Sequence, residues 1–202
     1  MKSGKKLPLF ETTRRHLFLA GFMGTGKTVV GGAVAKRLGW AFIDLDDMIV
    51  SLCQRSIPDI FRLEGEDAFR LHEARALRLA VISHHSVIAL GGGTPMLTPN
   101  ANIIRATGRC WLLTASCTDI WARVRGNLAE RPLLSELVSS SGGGQAQFER
   151  FLAIVQPVME QRKEAYSLVA DHELATSGLS IEELAQRITD EFHLDLTITA
   201  AK

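Results

Sequence analysis

A glycine-rich octet near the N-terminus has the residue types needed to bind phosphate. Residues 21–28 read Gly-Phe-Met-Gly-Thr-Gly-Lys-Thr and match the pattern GxxxxGK[ST] in full. In this pattern the lysine, here Lys27, neutralises β- and γ-phosphate oxygens, and the hydroxyl of Thr28 is a ligand for Mg²⁺. Backbone N–H groups form the phosphate cradle. They would come from Gly24, Thr25 and Gly26. The octet therefore predicts a nucleotide-binding loop.

Two aspartates follow the next apolar run along the chain. Asp44 and Asp46 are two residues apart at the end of a strand predicted at 41–44, so in extended backbone they face the same side. Alone, such a pair is more often a helix cap. Beside a phosphate loop it has a second interpretation, because a kinase must hold Mg²⁺ and also orient or deprotonate an acceptor hydroxyl. Two carboxylates would divide these roles.

Further candidates are weaker when each is taken alone. The triple glycine 91–93 follows another predicted strand and is either a tight turn or a place where bare backbone approaches an anionic substrate. Arg70 and Glu73 have the spacing of an ordinary surface ion pair on a helix. Arg131 begins a segment that looks flexible, and a phosphoryl-transfer site needs an arginine against transition-state charge. Arg162 is uninformative alone.

The elements that must position these residues alternate between strands and helices. Short apolar runs without helical spacing predict buried strands at 16–20, 41–44, 86–90 and 110–113. Helical spacing and capping signals predict helices at 28–38, 58–64 and 66–82, and three more helices whose N-caps are Thr98, Ser116 and Ser180. This alternation is typical of a single doubly wound α/β domain, in which helices cover both faces of a parallel sheet.

Composition excludes several classes of function. The 202 residues include 23 basic and 22 acidic side chains, so the net charge of +1 argues against a nucleic-acid partner. No apolar run is long enough to span a membrane. The three cysteines lack metal-ligand spacing and favour a reducing compartment. Two segments are expected to be disordered or mobile: the basic leader 1–15, and residues 135–147 around the run Ser-Ser-Ser-Gly-Gly-Gly at 139–144.

In their order along the chain, these motifs resemble the shikimate kinase family. The similarity extends from about residue 16 to the last predicted helix. Its specific parts are the aspartate pair, the segments 56–61 and 65–73, the triple glycine, and the sequence Arg-Pro-Leu-Leu at 131–134. The resemblance implies a three-layer P-loop kinase fold whose five-stranded parallel sheet has helices on both faces. It implies a single domain at 16–194 with a lid around 126–148, a C-terminal tail at 195–202, a monomer, and a cytoplasmic location.

The resemblance also implies an activity. Members of this family use ATP and Mg²⁺ to phosphorylate the 3-hydroxyl of shikimate, a step in aromatic amino-acid biosynthesis. By position, Lys27 and Thr28 correspond to the phosphate lysine and the Mg²⁺ hydroxyl, and Asp44 corresponds to the aspartate associated with Mg²⁺. Asp46 corresponds to the aspartate that binds shikimate hydroxyls and acts as a base.

The remaining correspondences concern the shikimate side and the lid. Arg70, Gly92 and Arg162 would hold the shikimate carboxylate. Glu73 would support Arg70, and Arg131 would be the lid arginine that contacts the nucleotide and assists catalysis. The walls of the pocket would be Phe61 and Phe69.

Three features depart from the family pattern. Where the family has Arg-x-Pro-Leu-Tyr, residues 162–166 read Arg-Lys-Glu-Ala-Tyr, without the proline. The stretch between Arg131 and Arg162 is about a dozen residues longer than in the family, and loops tolerate such insertions. In the family an arginine stacks on adenine; here it would be either Arg123 or Arg125, and neither lies at the expected position.

Two other functions compete with this reading. The same scaffold could phosphorylate another polyol or acid such as gluconate, because function resides in the site and not in the fold. A second alternative is an inactive domain that only senses its ligand. Paired arginines for a carboxylate favour shikimate, and the presence of Lys27, Asp46 and Arg131 argues against a sensor.

Overall fold

The structure, a computed structural model, describes residues 16–83, 85–138 and 144–200. Five parallel strands form one sheet in the order β2-β3-β1-β4-β5. They are β1 (His16–Ala20), β2 (Ala41–Asp44), β3 (Ser86–Ala89), β4 (Gly108–Thr114) and β5 (His172–Ala175). The expected five-stranded parallel sheet is confirmed. The apolar runs predicted four of these strands; β5 is only four residues long and buries only Leu174, so it gave no such signal.

Helices connect the strands and cover the sheet. They are α1 (Lys27–Leu38), α2 (Leu45–Cys53), α3 (Ile57–Ala80), α4 (Thr98–Thr107), α5 (Cys117–Val124), α6 (Ser135–Val138), α7 (Gly144–Val169) and α8 (Ile181–Ala200). Short 3₁₀ turns occur at Thr94–Met96, Leu128–Glu130 and Pro132–Leu134. Within the part of the chain that the structure describes, no helix combines the length and apolar character needed to cross a bilayer.

Capping signals in the sequence locate most helix ends. The hydroxyls of Ser116 and Ser180 accept the backbone N–H groups of Asp119 (3.1 Å) and Glu183 (3.2 Å), as the capping-box spacing predicts. Gly39 ends α1 in the left-handed region with φ 67°. The cap predicted at Thr98 is wrong by one residue: Thr98 is already the first residue of α4, and the preceding residue takes the cap position without a side-chain hydrogen bond.

Both faces of the sheet are buried because alternate strand residues point to opposite sides. On one face, residues of β1, β3 and β4 pack against α3, α4 and α7; these strand residues are Phe18, Ala20, Ile88, Cys110 and Leu112. On the other face, residues of β1, β3, β4 and β5 pack against α1 and α8; these are Leu17, Leu19, Val87, Trp111, Leu113 and Leu174. The carboxyl ends of all five strands therefore meet at one edge, between two layers of helices.

A break in α3 separates the two helices predicted from the sequence. Gly65 has φ 85° and ψ 175°, a region that only glycine populates readily, and it interrupts the helix between residues 64 and 66. Phe61 lies before the break and Phe69 after it, and their ring centroids are 4.6 Å apart. The break thus lets side chains from both halves of α3 meet on one side.

The segment expected to be mobile is partly ordered. Residues 135–138 form α6, and residues 144–147 already belong to α7. Leu134 and Leu137 are buried against Trp121 of α5 and Phe151 of α7. The expectation was wrong for these residues because the segment, although polar in composition, contains apolar side chains that can be buried, such as Leu137. Residues 139–143 lie outside the described part of the chain.

The C-terminal boundary also differs from the expectation. The last helix continues to Ala200, so residues 195–200 extend α8 instead of forming a separate tail. Asp195 accepts a hydrogen bond from His172 of β5 (2.9 Å) and pairs with Arg109 of β4 (3.5 Å), which attaches the helix to the sheet at this point. The predicted disordered leader at residues 1–15 lies outside the described residues.

Replacing Gly65 with alanine is expected to destabilise the fold by about 1–3 kcal/mol, because an L-residue is strained at this φ and ψ. No atom lies within 4 Å of the position of an added Cβ, so backbone strain is the whole effect. Urea denaturation of Gly65→Ala measures it.

Gly32→Ala is the matched control. Gly32 lies inside α1, also has no atom within 4 Å of an added Cβ, and is not in the left-handed region. Alanine should stabilise this position by about 0.5–1 kcal/mol because it restricts the unfolded chain. If both variants change the free energy of unfolding in the same direction, the backbone conformation of Gly65 is not the cause of its effect.

Candidate active site

Two cavities meet where the carboxyl ends of β1, β2 and β3 converge. One cavity, of about 380 Å³, is lined by the glycine-rich loop and the aspartate pair. The other, of about 360 Å³, is lined by both halves of α3, the triple glycine and the segment around Arg131. They share four residues, Met23, Asp46, Gly92 and Arg131. This is the crevice position in which open parallel sheets bind ligands.

Lys27 lies at the base of the first cavity. Its Nζ donates to the carbonyls of Gly21 (2.9 Å) and Phe22 (3.0 Å), which hold the ammonium inside the loop. Burial lowers the pKa of Lys27 from 10.5 to about 8, and the carboxylates of Asp46 and Asp44 limit the decrease. A phosphate next to the ammonium would favour its charged form further.

Asp44 performs two roles in the first cavity. Its Oδ1 accepts the backbone N–H of Asp46 (2.9 Å) and caps α2, while its Oδ2 accepts the Thr28 hydroxyl (2.7 Å). The interpretation of Asp44 as a helix cap is therefore confirmed, and its role toward Mg²⁺ stays a prediction. A hydroxyl beside a carboxylate is a hard oxygen pair of the kind that Mg²⁺ prefers. Among the described residues no group of three or more His, Cys, Asp or Glu side chains could hold a metal ion without help from other ligands.

Asp46 stands at the junction of the two cavities. Burial raises its pKa from 3.8 to about 6; the negative charges of Asp44 and Glu73 act in the same direction, and Lys27 opposes them. A carboxylate with this pKa is ionised at neutral pH and is matched to proton acceptance near pH 7.

Arg70 projects into the second cavity and is held by two carboxylates. Its guanidinium donates to Glu73 (3.0 Å) and Glu66 (2.8 Å), and its Cζ lies 5.4 Å from the centre of the Phe69 ring. Glu73 is fully buried, whereas the Glu66 side chain is 65% exposed, so Glu73 is the inner anchor. A Cβ at Gly93 would overlap the guanidinium, which explains a glycine here without any appeal to its conformation.

Two side chains of α7 reach the triple glycine from the opposite side. Arg162 and Tyr166, one helical turn apart, both donate to the carbonyl of Gly92, at 3.1 and 2.6 Å. The Arg162 guanidinium also lies 5.6 Å from the centre of the Phe22 ring. Arg70 and Arg162 thus face one cavity from different helices.

Arg131 lines both cavities and is carried by the segment that precedes α6. It lies between the turns Leu128–Glu130 and Pro132–Leu134, and its charge contributes to the low pKa of Lys27. The buried side chains that follow it, Leu134 and Leu137, fix the base of this segment against α5 and α7.

The structure places Arg123 and Arg125, the two candidates for the adenine contact, in different cavities. Arg123 donates to the carbonyl of Gly24 (3.0 Å) and to the hydroxyl of Thr176 (3.0 Å) and lines the first cavity, whereas Arg125 lines a different cavity beside Phe148. The Thr25 hydroxyl donates to Phe22 inside the loop (2.9 Å), so this side chain does not line the first cavity and only its backbone remains available there.

Known proteins match this chain over most of its length. The family model for shikimate kinase matches residues 23–193. The chain belongs to the shikimate kinase family. It is 33% identical over 184 residues to the shikimate kinase of Salinibacter ruber, covering 91% of this chain and 87% of that protein. It is 37% identical over 174 residues to the shikimate kinase of Geobacter sulfurreducens, covering 86% and 88%.

A solved structure agrees with these relatives. The shikimate kinase from Acinetobacter baumannii in complex with shikimate is similar to this chain with a TM-score of 0.76 and 28% identity, covering 91% of this chain and 96% of that one. The missing family proline between Arg162 and Tyr166 does not remove either side chain from Gly92, because both project from the same turns of a continuous α7.

One residue of the site gave no signal in the sequence. Thr94 follows the triple glycine directly, is fully buried, and donates its hydroxyl to Glu73 (2.7 Å). A threonine before a proline at the end of a glycine run looks like an ordinary loop residue. Its partner is 21 positions earlier, and only the tertiary structure reveals the pair.

Asp46→Asn is expected to be more stable than the wild type at neutral pH. The folded-state pKa of Asp46 is about 6, above its usual 3.8, so between these values the folded chain binds more protons than the unfolded chain. Wild-type stability therefore falls as pH rises through this window. The variant should gain about 1–2 kcal/mol near pH 7.5 and nothing near pH 4, after allowance for solvent screening. Urea denaturation at both pH values tests this.

Asp47→Asn is the control for this comparison. Asp47 is the next residue, is exposed, and lies in the first turn of α2, where a negative charge is favourable. Slight burial and the charge of Asp44 also raise the pKa of Asp47, but because its side chain is exposed, its replacement should give a smaller gain near pH 7.5 than Asp46→Asn. If both variants gain equally, burial of the Asp46 charge is not the cause.

Proposed function

We propose that this protein catalyses ATP-dependent phosphorylation of the 3-hydroxyl of shikimate, giving shikimate 3-phosphate and ADP. One observation carries the proposal: a phosphate-loop cavity and an arginine-lined cavity meet at Asp46 and Arg131. A substrate with a carboxylate at one end and hydroxyls at the other suits the second cavity, because Arg70 and Arg162 supply positive charge and Asp46 supplies an acceptor.

ATP would occupy the first cavity. The backbone of the loop from Gly24 to Gly26 and the Lys27 ammonium would bind its phosphates, and Arg123 would lie beside the rest of the nucleotide. Thr28 and Asp44 would hold Mg²⁺, either directly or through water. When bound, the ion neutralises charge on the β- and γ-phosphates.

Asp46 would act on the acceptor hydroxyl. The hydroxyl oxygen forms a bond to the γ-phosphorus while the bond from that phosphorus to the β-γ bridging oxygen breaks, and ADP leaves with the electron pair. The hydroxyl proton passes to Asp46, whose pKa of about 6 keeps it ionised and ready to accept at neutral pH. Arg131 would stabilise the charge that develops on the leaving oxygens.

The setting of the reaction follows from the same interpretation. Shikimate phosphorylation is a step in aromatic amino-acid biosynthesis, and we propose that the protein acts as a monomer in the cytoplasm, without a nucleic-acid or membrane partner. Its three cysteines are free thiols in the structure, which fits a reducing compartment.

An ADP-release assay with a panel of acceptors tests the function. Shikimate, quinate, gluconate and a set of nucleosides are each added with ATP and Mg²⁺. Shikimate should stimulate ADP release strongly, and omission of its 3-hydroxyl in a deoxy analogue should abolish the stimulation. A larger rate with gluconate or a nucleoside would assign the scaffold to a different acceptor.

Arg70→Ala should raise the KM for shikimate by at least ~10-fold and change the KM for ATP by less than ~2-fold, because it removes a charge-assisted partner of the carboxylate. Arg62→Ala is the matched control, since Arg62 is also on α3 and also pairs with a carboxylate, Asp59, but is exposed outside the cavity. If Arg70→Ala raised the KM for ATP more than the KM for shikimate, the second cavity would not be the shikimate pocket.

Arg131→Ala should lower kcat by at least ~10²-fold with little change in ATP affinity, the pattern of an interaction made mainly in the transition state. Steady-state kinetics and ATP binding by calorimetry measure the two quantities. Arg125→Ala, in the neighbouring but separate cavity, should retain kcat. Equal losses in both variants would indicate a general disturbance of the segment instead of a direct role for Arg131.

A further inference from the structure

Glu73 is a buried carboxylate with a different partner on each oxygen. Its Oε2 accepts from Arg70 (3.0 Å), and its Oε1 accepts from the hydroxyl of Thr94 (2.7 Å). Glu73 and Thr94 are both fully buried. A buried carboxylate oxygen without a donor is costly, and the threonine hydroxyl supplies a donor to Oε1.

Thr94 is itself fixed by its backbone. Its N–H donates to the carbonyl of Gly91 (3.1 Å), and its own carbonyl accepts from the side chain of Asn100 (3.1 Å), which is buried in α4. Thr94 is also the first residue of the 3₁₀ turn Thr94–Met96, in which the N–H of Met96 donates to the carbonyl of Gly93 (3.0 Å). The hydroxyl therefore has a defined position relative to the triple glycine.

We propose that Thr94 is a positioning residue for substrate binding: its hydroxyl orients Glu73, and Glu73 in turn holds Arg70 at the angle that receives the substrate carboxylate. The inference rests on the proposed function and extends it by a residue outside the contact surface, since Thr94 does not line the substrate cavity. It connects the triple glycine, which approaches the substrate, to the arginine that binds it.

The rotation of the Glu73 carboxylate determines how Arg70 is held. With Oε1 turned toward the Thr94 hydroxyl, Glu73 receives one hydrogen bond from Arg70, from Nη1 to Oε2, while Nη2 of Arg70 donates to Glu66. Without the hydroxyl, both oxygens would turn toward the guanidinium, because bidentate pairing is the strongest arrangement open to them. Arg70 would then offer fewer donors to a substrate, in a different direction.

Two pairs of variants isolate the hydroxyl. Thr94→Val replaces it with a methyl group at nearly constant volume. Thr94→Ser and Thr94→Ala both lose the methyl group and differ only in the hydroxyl, so this pair gives an answer even if valine prevents folding. Circular dichroism and thermal unfolding are recorded for each. Thr98→Val, the same substitution at an exposed position in α4, controls for nonspecific effects.

Thr94→Val and Thr94→Ala should raise the KM for shikimate by ~3- to 10-fold, with kcat and the KM for ATP within ~2-fold of wild type. Thr94→Ser should keep the shikimate KM within ~2-fold of wild type. Calorimetric titration with shikimate should show the same ratios without turnover. If Thr94 had a purely structural role, the variants would instead lose stability, and the KM for shikimate would not rise more than the KM for ATP.

A double-mutant cycle decides whether Thr94 acts through Arg70. In an Arg70→Ala background, Thr94→Val should have almost no further effect on the shikimate KM, because the side chain that it positions is gone. Full additivity of the two effects would overturn the inference. So would equal shikimate KM values for Thr94→Ser and Thr94→Ala.

The wild type separates this inference from the proposed function. If wild-type protein neither binds shikimate nor releases ADP in its presence, the proposed function fails. If wild type is active and the Thr94 variants keep a normal shikimate KM, the function stands and only the positioning role is wrong.

Discussion

Glu73 is a fully buried carboxyl side chain, and the arrangement of the second cavity follows from how the chain supplies its hydrogen-bond donors. A lone buried carboxylate would cost several kcal/mol. Arg70 comes from the same helix, and Thr94 comes from the turn after β3. For all three to meet, α3 must lie directly against the end of the sheet, and the residues between must have no side chain. A Cβ at Gly91 would lie 2.5 Å from Glu73 Oε1, so the carboxylate itself favours a glycine at this position.

The same edge of the sheet sorts charge into two neighbouring regions. The nucleotide side holds Lys27 among the carboxylates of Asp44 and Asp46, and burial shifts the pKa values of Lys27 and Asp46 in opposite directions, toward neutrality. The second cavity is lined by the guanidinium groups of Arg70 and Arg162. Asp46 lies at the boundary, where it can face both a phosphate and a hydroxyl. Parallel strands make this sorting possible, because loops from different strands all emerge at one edge.

The segment from Arg131 through α6 has a packing role. Leu134 and Leu137 are buried beside Trp121 and Phe151, whose ring centroids lie 5.1 Å apart. This apolar cluster fixes the base of the segment that carries Arg131 and connects it to α5, the helix next to the phosphate loop. This anchoring holds Arg131 beside both cavities.

The amino-acid sequence by itself determined the phosphate loop, the aspartate pair, the alternation of strands and helices and the family, because these depend on residues close together in the chain or on motifs in a fixed order. It did not distinguish a surface ion pair from a buried one for Arg70 and Glu73, since the spacing of three residues is the same in both. It left Arg123 and Arg125 equivalent, and it offered no reason to select Thr94. These distinctions depend on which side chains are removed from water and what faces them across the sheet edge, and only the tertiary structure decides that.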